Sequence, residues 1–260
     1  MLTNLTQGHL SLLETCPRKF QQIFLEGLTV PPSPDLQTSQ LWGNRFHLLM
    51  QQRELGLPLP GTLTDEEHLQ ACMAALVAQA PDLFRAEPSS FRQSEHRRSL
   101  AFNGYSLTVI YDLLILRPGA GLIVDWKTYL QVPNHASLAQ DWQTRLYLYV
   151  LVETTDLSPE QVAMSYWFVR HREAQTGEFR PQEVKITYTS KQHEQTRQNL
   201  LKLTAALSGY QQSGHFPQVS LARGSCDRCL FVAPCGRLPE SSATALSPLP
   251  SLAEIEEVPL

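Results

Sequence analysis

What this chain lacks narrows the field first. No apolar run approaches the roughly 20 residues that a membrane-spanning helix needs, and the opening MLTNLTQGHL has no basic-then-apolar export layout. A cytoplasmic protein is therefore expected. There is no GxxxxGK[ST] phosphate loop, so no ATPase motor is encoded, and no internal repeat. Excess positive charge is also missing: Lys+Arg number 21 against 25 Asp+Glu, for a net charge of −4. This balance argues against general electrostatic adhesion to nucleic acid, and any such binding has to use local basic patches. What is there reads as globular: 42% apolar and 18% charged residues in a chain of 260, enough for one large domain or two small ones. Five cysteines in a long cytosolic chain point to metal binding or chemistry more than to disulfides.

The most informative stretch runs from Thr108 to Thr128, TVIYDLLILRPGAGLIVDWKT. It reads as two apolar strands joined by a Pro118–Gly121 turn, each with one carboxylate where a core residue is expected. Side chains alternate along a strand, so Asp125 and Lys127 share a face while Leu122, Val124 and Trp126 take the other. Asp112 shares a face with Ile110 and Leu114, and antiparallel pairing places it near Asp125. Two acids converging there are costly without a cation. The bland reading is a structural ion pair with Lys127. The chemical reading is a Mg²⁺ or Mn²⁺ site, since such ions take carboxylate oxygens together with substrate phosphate and water. Lys127 would then orient the water or stabilise developing phosphorane charge, which is chemistry for cutting a phosphodiester.

Around this stretch the periodicity predicts a helical segment over 8–28, restarted at Pro17, with Phe20, Phe24 and Leu28 in the core. A second helix over 37–55 carries Gly43 and His47, the glycine marking a close approach by another backbone or a ligand. Thr64 and Glu67 form a capping box for a helix that buries Cys72. Three strands follow at about 92–102, 105–116 and 121–128, with Asn103-Gly104 as the hairpin signal. A helix over 137–153 holds Gln143 and Tyr147 four apart on one face. Taken alone, Tyr147 reads as core; functionally, the pair suits a phosphate or a base edge. Strands ending at Val169 and spanning 182–188 complete the sheet, and a helix over 190–213 leads to Cys226-x2-Cys229-x5-Cys235. Three thiols at this spacing read as metal ligands, with Cys16 as the fourth; zinc and a [4Fe–4S] cluster both suit four thiolates. Two basic clusters, His96-Arg97-Arg98 and Arg170-His171-Arg172, read either as solvated surface or as a nucleic-acid track. After Pro239 the composition predicts a disordered tail over 240–260.

Taken together, the sequence resembles the PD-(D/E)XK nucleases of the RecB-nuclease, AddB and Cas4 type, the branch with an iron–sulfur cluster. The resemblance spans about Leu10 to Gly236, with six weak motifs in family order: the SLLETCPRKF opening with Cys16, Gly43 with His47, Asp112, Asp125-Trp126-Lys127, Gln143 with Tyr147, and the three terminal cysteines. It implies an α/β restriction-endonuclease-like core sheet flanked by helices, in one domain over 1–239. By that resemblance His47, Asp112 and Asp125 hold the metal and Lys127 is the catalytic lysine. Gln143 and Tyr147 are accessory residues near DNA, and Cys16, Cys226, Cys229 and Cys235 bind a [4Fe–4S] cluster. The implied activity is metal-dependent exonucleolytic cutting of single-stranded or end-bearing DNA, in repair, recombination or a CRISPR-like setting, with a separate helicase or recombination protein as partner. One position departs: Val109 stands where the family places glycine, three residues before the first aspartate, and its bulk would narrow the approach to the metal. That departure is the one mark in favour of the alternative, a non-catalytic DNA-binding or scaffold subunit.

Overall fold

Alternating apolar and polar positions from Phe91 onward build the sheet that organises the larger part of the molecule. In the computed structural model, residues 2–58, 64–85, 87, 89–227 and 229–237 are described, the side chains of 64–66 excepted; the Thr64 capping box and the tail over 240–260 lie outside them. The described chain divides into two compact units, Met1–Glu14 with Pro31–His215, and Thr15–Val30 with the segment from Phe216 onward.

In the larger unit, six strands form one mixed sheet. They are β1 (Asn4–Leu5), β2 (Phe91–Phe102), β3 (Tyr105–Arg117), β4 (Ala120–Lys127), β5 (Val162–Phe168) and β6 (Gln182–Thr187). Asn103 and Gly104 both adopt positive φ, 46° and 82°, so the β2–β3 hairpin has the tight turn that Asn-Gly favours. β2 pairs antiparallel along nearly all of β3. The opposite edge of β3 is shared: β1 pairs at Ser106 and Leu107, and β4 from Leu113 to Arg117. Residues 108–112 on that edge have no strand partner among the described residues. β4 continues parallel to β5, and β5 antiparallel to β6. The sheet therefore forks just where Asp112 and Asp125 would form the next pair after Leu113–Val124.

Helices α1 (Gln7–Thr15), α3 (Pro34–Glu54), α4 (Thr64–Gln79), α5 (His135–Gln140), α6 (Trp142–Glu153) and α7 (Ser190–Ser213) flank the sheet; α2 (Pro17–Phe24) belongs to the smaller unit. Phe46, Leu49 and Met50 of α3 and Leu69, Cys72 and Leu76 of α4 pack against Leu113, Ile115, Val124 and Trp126. The apolar alternation of β4 is thus used as its sequence reads, with Trp126 in the core and Asp125 and Lys127 turned away from it. The single helix expected over 137–153 is two: the chain breaks at Asp141, whose carboxylate accepts from the Gln143 N–H and caps α6. A side chain that competes with the helical backbone makes the better N-cap.

Candidate active site

Each side chain of the site is set by a different element. Near the middle of α3, Gly43 permits a close approach: a Cβ there would sit 2.9 Å from Thr128 Oγ1, just past the end of β4. The close neighbour expected at Gly43 is therefore a side-chain hydroxyl. One turn on, His47 reaches the fork of the sheet. Its Nε2 donates to the Trp126 carbonyl oxygen at 3.0 Å, and its Nδ1 lies 3.4 Å from Asp112 Oδ2. Both neighbours are acceptors, so the ring is best satisfied as an imidazolium. Burial alone would lower its pKa, but Asp112, Asp125 and Glu95 outweigh burial and raise it.

Asp112 takes over where the β3–β4 ladder stops, accepting from the Trp126 N–H at 2.7 Å. Asp125 is buried. Its Oδ1 lies 2.6 Å from Lys127 Nζ yet receives no hydrogen bond of good geometry, and Oδ2 accepts from Gln143 Nε2. Burial, then the neighbouring Asp112, push the Asp125 carboxyl up to about 6, with Lys127 pulling the other way. For Lys127, burial lowers the pKa, but the nearby acids raise it on balance, so its ammonium is held in charged form. Gln143 joins the two: its Oε1 accepts from Lys127 Nζ at 2.7 Å. The Tyr147 hydroxyl accepts from the otherwise unpaired Ile110 N–H and hydrogen-bonds with Gln143, and burial raises its pKa.

His47, Asp112, Asp125, Lys127, Gln143 and Tyr147 therefore line one open cavity of about 1320 Å³. So does a residue that the sequence reading missed. Glu95 on β2 brings a carboxylate oxygen to where it, a His47 ring nitrogen and an Asp112 oxygen all lie within 4.8 Å of one another. Val109 does not line the cavity; it is buried, so its bulk is taken up by the core and does not narrow the site. Arg170 and Leu130 continue the cavity into a recess of about 500 Å³ that also holds Arg45, His68 and Arg172. Arg170 lies over the Trp42 ring at 4.7 Å, and Trp42 stacks on Phe46. The other basic cluster is partly tied into the fold: His96 stacks on Tyr111, and Arg98 donates to Thr154. Only Arg97 of that trio is exposed.

In the smaller unit, Cys16 precedes α2 with extended backbone and Pro17 begins the helix. Of the residues expected in the core there, Phe20 is buried and stacks on Phe216, whereas Phe24 and Leu28 are each 37% exposed. Helical spacing identified the stripe but not its end. Cys16, Cys226, Cys229 and Cys235 are all free thiols lining one small cavity of about 40 Å³. Gln218 Nε2 donates to Cys235 Sγ at 3.2 Å, and Arg237 Nη1 to Cys226 Sγ at 3.5 Å. The Gln22 amide lines the same cavity, buried, with neither its nitrogen nor its oxygen hydrogen-bonded. The fifth cysteine behaves as its helix pattern predicts: Cys72 is buried, donates to the Val169 carbonyl at 3.0 Å, and burial pushes its thiol up to about 12.

Comparison with known proteins agrees with this geometry. The profile of the PD-(D/E)XK nuclease superfamily matches residues 4–236. No curated protein gives a match. Among solved structures, a protein named "Putative exonuclease" from Eubacterium rectale is similar, with a TM-score of 0.55 at 11% identity, covering 94% of both chains. That likeness is one of fold. A second, SSO0001, gives a TM-score of 0.41 at 12% identity over 91% of this chain and 88% of its own, and carries no argument. The match over nearly the whole described chain, onto a sheet that forks at its paired acids, places this protein in the PD-(D/E)XK nuclease superfamily.

Proposed function

We propose that the protein is a metal-dependent deoxyribonuclease that removes nucleotides from single-stranded or end-bearing DNA, and that it is related to the RecB-nuclease, AddB and Cas4 type. The observation that carries this reading is the Asp125 carboxylate: buried beside Asp112, its Oδ1 ion-paired to Lys127 Nζ at 2.6 Å, on the wall of an open cavity. A buried carboxylate next to a second acid at an open cavity fits a hard divalent cation. His47, Asp112 and Asp125 would hold Mg²⁺ or Mn²⁺, which supplies Lewis acidity toward a phosphodiester oxygen and eases deprotonation of water. The rest is the work of the chain. Lys127, held charged by Asp125 and aimed by Gln143, donates to charge that develops on the phosphoryl group. Tyr147 fixes Gln143 and the free edge of β3 together.

Nucleic acid as the ligand is supported by the recess that continues from the cavity. Arg45, Arg170 and Arg172 suit phosphates, and the exposed Leu41 and Leu130 beside them suit the apolar faces of bases. The scaffold-subunit alternative rested on Val109, which is buried away from the cavity.

In the smaller unit the four cysteines line one cavity, for which we infer a [4Fe–4S] cluster, with zinc as the alternative. Four free thiols around one cavity, donors from Gln218 and Arg237 directed at two of the sulfurs, and the unpartnered Gln22 amide all suit an anionic sulfur-ligated group. A role in repair, recombination or CRISPR-like processing, alongside a helicase or recombination protein, follows from the same kinship.

The test is digestion of end-labelled single- and double-stranded DNA by anaerobically purified protein, with Mg²⁺, Mn²⁺ or neither. Cation-dependent loss of label with a ladder of short products is expected, and the ladder gives the polarity. DNA bound but left intact under every condition would contradict the reading and favour the scaffold subunit.

A further inference from the structure

Near its start, α7 carries amides and hydroxyls on a face where an apolar stripe would be expected. Gln192, Gln195, Thr196 and Asn199 follow the i, i+3, i+4, i+7 spacing of one helix face, which Leu200 and Leu207 continue as buried core. Opposite the polar part stand Thr144, Arg145 and Leu148 of α6, Ile186 of β6 and Tyr188 just past it. Together they enclose a cavity of about 70 Å³, room for a small ion and not for a nucleoside. Gln140, Gln192 and Gln195 are exposed at its rim.

Arg145 is the one charged side chain among the described residues that line this cavity, and no carboxylate faces it there. Its guanidinium lies over the Trp142 ring at 3.9 Å and makes no hydrogen bond or ion pair with the described residues, although its Nη2 is buried. Glu14, the acid whose charge acts on it, accepts from Trp142 Nε1 at 2.9 Å instead. Burial outweighs Glu14 and lowers the pKa of Arg145. A buried charged donor left without an acceptor is destabilising.

The other walls supply donors independently. The Tyr188 hydroxyl, in a buried residue, has Thr196 beside it but no hydrogen bond of good geometry. Gln192 and Asn199 have their side-chain oxygens engaged, by Thr189 Oγ1 at 2.8 Å and by Gln195 Nε2 at 3.3 Å. Their amide N–H groups are left without acceptors among the described residues. Four donor groups from three parts of the chain, one of them charged, thus line a cavity that holds no acid. The planar fork of arginine matches carboxylate and phosphate alike. A carboxylate has two oxygens, whereas a phosphate has acceptors for the tyrosine and the amides as well.

We propose that this cavity binds a phosphate-type oxyanion, free phosphate or the head of a phosphomonoester, through Arg145, Tyr188, Gln192 and Asn199. It is distinct from the candidate active site. Helix α6 presents Gln143 and Tyr147 to that site and Thr144, Arg145 and Leu148 to this one. The binding does not depend on the nuclease reading.

The experiment is calorimetric titration of the full chain, freed of divalent cations, with inorganic phosphate, repeated in the presence of thymidine monophosphate. Wild type is expected to bind one phosphate per chain. Arg145→Leu should weaken binding ~10-fold or more, the scale of one hydrogen bond to a charged group. Asn199→Leu should weaken it from the opposite wall, and serves as the second variant should Arg145→Leu fail to fold by circular dichroism. Arg170→Leu, in the recess beside the candidate active site, should leave the affinity unchanged. Thymidine monophosphate that displaces phosphate assigns the site to phosphomonoesters; phosphate that stays bound assigns it to the free ion. No phosphate bound by wild type, affinity kept in the folded Arg145 and Asn199 variants, or affinity lost in Arg170→Leu would each overturn the site and leave the nuclease reading standing.

Discussion

Asp125 is where sequence chemistry and folding are most at odds, because burial and a second acid beside it oppose the charged carboxylate that Lys127 only partly compensates. Its carboxyl is pushed up from 3.8 to about 6 by burial and by Asp112. Without divalent cations the folded chain then holds this proton more tightly than the unfolded chain. The contribution of this one group to stability is greatest below about 3.8 and is lost as pH rises through about 6, by on the order of 3 kcal/mol. His47 slopes the same way: its raised pKa contributes stability below its unfolded value of 6.5 that is lost as pH rises through the folded one. The urea midpoint of protein freed of divalent cations should therefore be higher at pH 5.5 than at pH 8, with Asp125→Asn flattening the difference. A higher midpoint at pH 8 in wild type would contradict these electrostatics. Cys72 gives a separate expectation. Buried and pushed up to about 12, its thiol should resist iodoacetamide in the native state, as peptide mapping would show. His47, Asp112, Asp125, Lys127, Gln143 and Tyr147 were legible because each residue type falls in a motif whose order carries the meaning. Glu95 was not. A glutamate on a half-exposed strand reads as solvent face, and a left-handed φ inside a strand leaves no mark in the sequence.

Among the elements, strands were read closely because alternation has a period of two and the Asn103-Gly104 turn fixes their register. Helix ends were harder to read. The break at Asp141 depends on one capping side chain, and the exposure of Phe24 and Leu28 depends on where the chain turns after α2. The placement of α3 rests on Gly43, and this can be tested. In Gly43→Ala the new Cβ would meet Thr128 Oγ1 at 2.9 Å, so either that hydroxyl or the helix must move. We expect a loss of about 1–3 kcal/mol in denaturant unfolding, with weakened activity as His47 shifts. In a Thr128→Ala background the nearest remaining atom, Thr128 Cβ, lies 3.9 Å away. There Gly43→Ala should be neutral or stabilise by about 1 kcal/mol through helix propensity. An equal loss in both backgrounds would show that this contact is not what requires glycine.

At the scale of the whole molecule, the four cysteines that line one cavity all fall in the smaller unit although Cys16 is far from the others in sequence. Because a thiolate-ligated group links folding to its own binding, Cys226→Ser should lose iron and acid-labile sulfide together. Faster proteolysis within 15–30 and 216–237 should accompany that loss. A colourless wild-type protein with stoichiometric zinc after anaerobic purification would assign the site to zinc. In the larger unit the decisive residue is Lys127, whose ammonium is held by Asp125 and Gln143. The most direct measurement is single-turnover cleavage of end-labelled DNA in Mn²⁺ by wild type and by Lys127→Ala, each shown to be folded and to bind DNA. Loss of one donor to the developing charge should slow cleavage by roughly 10²–10³ with binding little changed. Equal rates in the two proteins would contradict the assignment of this site.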